Sequence, residues 1–334
     1  MKRRALVFAA PRRVEVVEEE CGPPPPGHLL VQTRVSAISA GTELLAFRDQ
    51  LPANLPLDDT LPALAATTAR YPFRYGYAAV GRVIGVGDDV AAGWVGRQVF
   101  SFHPHASAFT VAAADAWPVP EGMDPERAVL LANMETAVNL ILDGAPRIGE
   151  QVVVFGQGVV GLLTTALLAR FPLRALYVVD AVAGRAALGR TLGATAAMES
   201  TANVRDAIGG DGADLSYELT GNPDALNAAL SATGREGRVI VGSFYGSKRG
   251  AIDLGGHFHR GRITIASSQV SHIAPALSGR WDRARRREAA WDSLARTDTR
   301  PLVTHRFSIA RAAEAFTLLD DGPTKVLQVL LTYE

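Results

Sequence analysis

Between Val152 and Gly161 the chain reads Val-Val-Val-Phe-Gly-Gln-Gly-Val-Val-Gly, an apolar strand that runs into a glycine-spaced turn and on into a helical pattern. Few local sequences restrict a fold as much. Gly156 suits a tight turn, Gly158 lets a backbone approach a pyrophosphate, and Gly161 lets helix and strand pack closely. A helix that opens inside such a turn directs free N–H groups and a partial positive charge at phosphate. Gly156, Gln157, Gly158, Val159, Val160 and Gly161 therefore form a candidate dinucleotide cradle. Asp180 follows 19 residues after Gly161, at the end of the next strand. A carboxylate there accepts hydrogen bonds from both ribose hydroxyls and repels a 2′-phosphate, so NAD(H) is expected over NADP(H). Arg185 is placed to stack on adenine or, against that preference, to contact a phosphate.

The texture of the chain changes on either side of this motif. Up to about Val119 short β segments alternate with Gly and Pro: Leu29–Ala37, Ala78–Val86, Gln98–Phe102 and Ala108–Ala112, after a first strand that ends near Ala10. This is the pattern of a barrel-like β unit. From about Gly149 strands alternate with helices, as in a doubly wound parallel sheet. The strands are Gln151–Phe155, Ala175–Asp180, Thr195–Glu199, Asp214–Leu219, Arg238–Gly242 and Arg262–Ala266. The helices are Val159–Phe171, Gly184–Leu192, Ala202–Ile208 and Pro223–Ala232, with a less clear one around His257. Two helical segments then follow, Arg280–Leu294 and Ala310–Leu319, and a last strand, Val326–Tyr333, which is expected to return to the first domain. The expected domains are 1–119 with 270–334, and 120–269.

Composition excludes several function classes. With 34 basic and 34 acidic residues the chain has no global field to hold nucleic acid or an anionic membrane. Cys21 is the only cysteine, which excludes an internal disulfide and a Cys-rich zinc lobe and fits the cytoplasm. No window approaches the ~18 apolar residues of a membrane helix. The arginines of Arg280–Arg287 are spread around a helix axis, and Asp282 and Glu288 are available for pairing, so a solvated helix is expected.

Other stretches carry a resemblance. Ser36-Ala37-Ile38-Ser39-Ala40-Gly41-Thr42-Glu43 is similar to a GICGTD motif, Gly76-Tyr77-Ala78-Ala79-Val80-Gly81 to GHExxG, and Val95-Gly96-Arg97-Gln98-Val99 to VGDRV. With the Rossmann turn, these resemble the medium-chain dehydrogenase/reductase superfamily over essentially the whole chain. Together with Ser267-Ser268-Gln269-Val270 and Arg280-Trp281, they look closest to its bacteriochlorophyllide dehydrogenase-like branch. The resemblance implies an α/β protein in which a discontinuous GroES-like β-barrel domain flanks a Rossmann domain. It also implies NAD(P)-dependent oxidoreduction of a small molecule, and a homodimer joined at the edge of the Rossmann sheet.

The departures from the family pattern concern zinc. In the matching register Ala40 takes the place of the ligand Cys, and Tyr77 and Ala78 take the places of His and Glu. Only Glu135 could serve within Ala132–Glu135, where the third ligand falls, so no catalytic zinc is expected. His103 and His105, in Phe-His-Pro-His, lack a neighbouring acid or thiol and are read as hydrogen-bonding or substrate-lining residues. The candidate catalytic groups are then Thr42, Tyr77, His103 and Glu135. Thr42 stands where the family keeps a proton-relaying hydroxyl. Tyr77 either points its phenol at the reacting oxygen, for which its pKa near ~10 would have to fall, or simply fills the space of the metal. Thr136, Thr220-Gly221, Gly242-Ser243 and Ser267-Ser268 are expected beside the cofactor, or else as helix caps.

These residues lead to a zinc-independent, NAD(H)-linked enzyme that interconverts a bulky secondary alcohol and its ketone. Two alternatives stand beside it: an NAD(P)H-dependent reductase of a conjugated C=C bond, of the quinone or enoyl reductase type, and a non-catalytic dinucleotide-binding redox sensor. The segment Leu51–Tyr75, rich in Leu, Pro and Ala, is expected as a wall of the substrate cleft.

Overall fold

The computed structural model describes residues 1–52, 56–58, 60–322 and 325–333. Its contacts fall into two compact units, 1–132 with 298–334, and 133–297. Of the Leu51–Tyr75 segment, residues 53–55 and 59 lie outside the described residues.

The first unit opens with an antiparallel ribbon, β1 (Lys2–Ala10) on β2 (Arg13–Glu20). The long strand β3 (His28–Ile38) is followed by helix α1 (Ala40–Phe47), then β4 (Ala79–Val86), β5 (Gln98–Ser101), β6 (Ala108–Ala112) and β7 (Trp117–Pro118). In β3, Leu29, Val31, Thr33 and Val35 alternate inward, and from Val35 to Ile38 both faces are buried. The alternation marks a sheet with one dry face, and the apolar run marks where a second layer covers the other. Helices α2 (Pro125–Ala128) and α3 (Leu131–Gly144) lead into the second unit, the chain crossing over within α3.

The second unit is a six-stranded parallel sheet. In chain order its elements are β8 (Gln151–Phe155), α4 (Val159–Leu168), β9 (Ala175–Val179), α5 (Ala183–Thr191), β10 (Ala196–Met198), α6 (Val204–Ile208), β11 (Ala213–Glu218), α7 (Asp224–Ala232), β12 (Thr233–Val241), α8 (His257–Gly261) and β13 (Thr264–Ser267). The spatial order β10-β9-β8-β11-β12-β13 is the 3-2-1-4-5-6 order of a dinucleotide-binding sheet. Val152 to Phe155 of β8 are wholly buried, as a central strand covered by helices on both faces requires.

After α9 (Arg283–Arg296) the chain re-enters the first unit as β14 (Val303–Ser308), α10 (Ala312–Asp320) and β15 (Gln328–Thr332). Strand β15 pairs antiparallel with β3, Val329 opposite Ile38, and parallel with β14, so the sheet β14-β15-β3-β4-β5-β7 is mixed. Phe316 of α10 packs on Phe8 and Phe47 in the core below α1. Among the described residues no helix is long and apolar enough to cross a membrane.

The unit boundaries differ from those expected at 119/120 and 269/270. Ala128 to Leu130 are buried, and residues 120–132 cluster with the first unit although they follow its last short strand. At the other junction α9 stays with the second unit, and the reason also corrects, for Arg286, the expectation of a solvated arginine helix, while Arg280, Arg283 and Arg285 are exposed. Arg286 is only 4% exposed. It donates to Asn139 Oδ1 of α3 at 3.0 Å and to the carbonyl of Val270. Arg283 Nε donates to the carbonyl of Ser271 at 2.9 Å. Spacing alone spreads these charges around the helix, but buried carbonyls and a carboxylate on one side select the inward face.

Candidate functional site

The glycine turn between β8 and α4 has the shape that phosphate binding needs. Gly156 adopts φ +91°, and a Cβ there would lie 2.6 Å from the Leu219 carbonyl oxygen. At Gly161 a Cβ would come within 1.9 Å of the Gly156 carbonyl oxygen. At Gly158, by contrast, a Cβ would meet nothing within 4 Å, so its face is open space above the helix start. Gly158, Val159 and Val160 are half-buried at that opening, and the first N–H groups of α4 have no intrahelical partner. A dinucleotide pyrophosphate therefore fits the residues present.

Gln157 has a different place from its neighbours. Its buried side chain turns under the loop, Nε2 donating to Gly156 O at 3.1 Å and Oε1 accepting from Thr165 at 3.1 Å. Its backbone N–H donates to Asp180 Oδ2 at 2.7 Å, while Val182 N donates to Oδ1 at 2.8 Å. Asp180 thus ties the glycine turn to the start of α5 and keeps spare lone pairs on both oxygens. Arg185 lies in the first turn of α5.

At the carboxyl ends of β11, β12 and β13 the expected polar residues are mostly engaged with the fold. Thr220 donates to the buried Glu218 at 2.5 Å, Tyr245 donates to the other oxygen of that carboxylate at 2.5 Å, and Ser243 Oγ accepts from Gly221 N at 2.8 Å. Gly242 is needed for packing, since a Cβ there would meet Leu219 and Leu140 at 2.6 and 2.7 Å. Ser267, the last residue of β13, is exposed, and Thr136 is half-buried on α3. Ser268 Oγ donates to Asp143 at 2.6 Å.

Glu135, on α3, is 2% exposed and faces Arg286 at 3.5 Å and Arg287 at 4.0 Å. Burial pushes its carboxyl up, although both arginines pull it down. In the sequence Arg286 reads as part of a solvated helix, and Asn139 does not stand out. Only the long-range contact reveals them.

The chemistry of the first unit gathers at the N-terminus of α1. Ser39 is the N-cap residue, yet its hydroxyl makes no cap hydrogen bond. It accepts instead from Tyr77 Oη at 2.5 Å, while Thr42 Oγ1 lies 3.4 Å from the same phenol. A serine taken from the cap it is best suited to fill marks a local conflict of the kind expected at a functional site. Ser39, Ala40, Thr42 and Tyr77 are all half-buried, so the cluster reaches the surface of its unit. Burial pushes the Tyr77 phenol up, with Ser39 and Thr42 opposing. The fall needed for an acid–base phenol at neutral pH is therefore not provided, and Tyr77 remains a neutral hydrogen-bond donor.

Behind this cluster lies a chain of polar groups, of which Ser36, Glu43 and His105 are fully buried and Tyr333 half-buried. His105 and Glu43 are both 0% exposed, with Nε2 and Oε2 2.9 Å apart. His105 Nδ1 meets Ser36 Oγ at 2.6 Å, and Ser36 meets Tyr333 Oη at 2.7 Å. The sequence offers His105 only as a hydrogen-bonding or substrate-lining residue of Phe-His-Pro-His, and shows no sign of Glu43 as its partner. His103, the candidate from that motif, is stacked on Phe109 at 4.2 Å with Nδ1 donating to Pro104 O. Burial pushes its imidazole down to about 4.

The donors at the family's metal positions do not fit zinc: Ala40 offers none, Tyr77 is bound to Ser39, and Glu135 faces arginines. Among the described residues, no three His, Cys, Asp or Glu side chains are grouped to hold a metal.

Residues 159–286 match the family model described as zinc-binding dehydrogenase. D-guloside 3-dehydrogenase of Escherichia coli (strain K12) is 25% identical over 99% of this chain and 100% of its own length. L-threonine 3-dehydrogenase of Pyrococcus furiosus is 25% identical over 93% of each chain. The family-model match lies within the second unit, and the two relatives match across both. The chain is an NAD(P)-dependent oxidoreductase similar to the dehydrogenases of the medium-chain dehydrogenase/reductase superfamily, with a nicotinamide dinucleotide as cofactor. The fold is shared with the short chain alcohol dehydrogenase rspB of Escherichia coli CFT073, solved with NADH, at 19% identity and a TM-score of 0.81 over 99% of each chain.

Proposed function

We propose that this chain is a zinc-independent, NAD(H)-linked dehydrogenase that interconverts a bulky secondary alcohol and its ketone. The observation that carries this reading is the Tyr77–Ser39 hydrogen bond with Thr42 beside it, formed from the segments that hold zinc ligands in metal-dependent relatives. Bound nicotinamide supplies or accepts the hydride at C4. As a ketone is reduced, negative charge builds on its oxygen and a donor must meet it. A neutral phenol suits that role. The Tyr77 O–H can turn from Ser39 to the substrate oxygen, and the Ser39 and Thr42 hydroxyls then hydrogen-bond the phenol oxygen.

Two relatives named for oxidation at carbon 3, of D-guloside and of L-threonine, favour an alcohol as substrate. The preference for NAD(H) rests on Asp180, whose oxygens retain lone pairs for ribose hydroxyls and would repel a 2′-phosphate. NADPH binding tighter than NADH would reverse it. Stoichiometric zinc in protein purified without added metal would overturn the zinc-free reading.

The reading includes a cytosolic homodimer. Strand β13 pairs with β12 on one side only, and a second copy of β13 would cover the open edge. Light scattering should give twice the chain mass.

The deciding experiment incubates the protein with C4-deuterated NADH and matched bulky ketones and conjugated enones, and locates the label by NMR. Deuterium on a carbinol carbon is expected. Deuterium on a β-carbon would move the chain to the alkene reductases.

A further inference from the structure

We propose that His105, through Glu43, is the positioning residue of the Tyr77 hydrogen-bond donor. This rests on the reading of Tyr77 as the group that meets the substrate oxygen, and adds a second layer to it.

His105 is held between the two halves of the hydroxyl cluster. On one side its Nε2 meets Glu43 Oε2 at 2.9 Å, and the other oxygen of Glu43 accepts from Ser39 N at 2.8 Å. That bond fixes the N-cap residue whose hydroxyl accepts from Tyr77. On the other side the imidazole lies against Gly76, the residue before Tyr77. A Cβ at Gly76 would sit 2.6 Å from both Cδ2 and Nε2, and Gly76 adopts φ +107°, where a side chain is strained whatever the space. The ring of one residue therefore sets the separation between the backbone at Ser39 and the backbone at Tyr77.

A carboxylate only accepts, so Nε2 donates to Glu43, while Nδ1 pairs with Ser36 Oγ. Ser36 Oγ in turn pairs with the hydroxyl of Tyr333, the residue after β15. The network thus anchors the cluster to β3 and to the returning C-terminal strand. Burying a carboxylate and an imidazole at 0% exposure is costly unless both are paired, and apolar groups of the same volume would fill the space at lower cost. What the polar pair adds is a fixed geometry.

The link also tells positioning from proton relay. Glu43 reaches the cluster through the amide N–H of Ser39, which can hold a partner in place but does not pass a proton on at neutral pH. His105 is accordingly no catalytic residue, and its removal acts only through Tyr77.

The test is a double-mutant cycle on kcat for the ketone turned over fastest with NADH. His105→Phe should lower kcat about 10- to 100-fold and leave the Kd for NADH within about twofold. His105→Gln, which keeps a donor for Glu43, should recover most of the loss. Tyr77→Phe/His105→Phe should be no slower than Tyr77→Phe alone. Equal factors in both backgrounds, or an unchanged kcat in His105→Phe, would overturn the positioning role while leaving Tyr77 as donor. Parent-like activity in Tyr77→Phe would overturn the donor reading and this one with it. If His105→Phe does not fold, Gly76→Ala enters the same cycle, since its Cβ displaces the ring without removing it. A second readout needs no substrate: in protein labelled with 3-fluorotyrosine, the Tyr77 resonance, assigned by its loss in Tyr77→Phe, should shift in Gly76→Ala, and an unmoved resonance would overturn the proposal.

Discussion

Tyr77 Oη and Ser39 Oγ lie 2.5 Å apart, and Ser39 begins helix α1 without capping it. The bond joins two segments 38 residues apart in sequence. It converts a hydroxyl that would satisfy a helix end into a partner for a phenol.

The first prediction weighs the members of this cluster. Tyr77→Phe keeps the ring and removes the donor, and should lower kcat by ~10²–10³, the usual effect of losing one donor to a developing oxyanion. Thr42→Ala should have a smaller effect, because 3.4 Å is too long for a strong O–H···O bond. Neither change should move the Kd for NADH in a fluorescence titration, since the dinucleotide cradle is built from other residues.

The second prediction separates two glycines of one motif. Gly161→Ala forces a Cβ to within 1.9 Å of a carbonyl oxygen and should both lower Tm and abolish NADH binding. Gly158→Ala enters open space, so Tm should stay within a few degrees of the parent. The added methyl nevertheless stands where a phosphate would approach, and the Kd for NADH should rise at least tenfold. A Gly158→Ala protein with parent affinity would place the pyrophosphate elsewhere.

Local sequence made the Rossmann unit legible because each of its signals is short-ranged. Strand β8 and the start of α4 fall where the apolar run and the glycines put them, and the parallel order follows from strand–helix alternation. The resemblance made Tyr77 and Thr42 candidate catalytic groups, but did not point to Ser39, whose hydroxyl accepts from Tyr77. The His105–Glu43 pair was out of reach, since its members come from a helix and a turn 62 residues apart. Nothing local shows that His105 points inward while His103 lies against Phe109. Arg286 was misread for a similar reason: helical spacing gives the direction of a side chain, but not which direction meets Asn139 and the Val270 carbonyl.

A third prediction concerns pH. Burial disfavours the imidazolium of His103 and pushes it down to about 4 in the folded protein, below its ordinary value of 6.5. Between those values the unfolded chain binds the extra proton, so stability is fully present above 6.5 and is lost as pH falls toward 4. The loss from this one group reaches about 3 kcal/mol, at 1.36 kcal/mol per unit. His103→Gln has no such proton to take up. Urea unfolding of parent and variant from pH 4.5 to 7.5 should give a difference that shifts in the variant's favour on acidification. Parallel curves would mean that His103 is solvated.

The last prediction turns on the buried pair Glu135–Arg286, 2% and 4% exposed. Arg286→Met leaves the Asn139 carbonyl, the Val270 carbonyl and the Glu135 carboxylate without their cation, and should cost about 3–5 kcal/mol. Glu135→Gln should cost less, because Arg286 keeps its two neutral acceptors and the buried charge is gone. The double variant should fall short of the summed losses by at least ~1 kcal/mol, as expected for contacting residues. The pH dependence follows from the upward push on the Glu135 carboxyl. A carboxyl raised in the folded state favours folding while it is protonated, and that contribution is lost as pH rises above the ordinary value of 4.5. Glu135→Gln lacks this loss, so its deficit against the parent should shrink from pH 4.5 upward. A deficit that instead grew with pH would mean that Arg286 outweighs burial, and that the pair is held mainly by its charges.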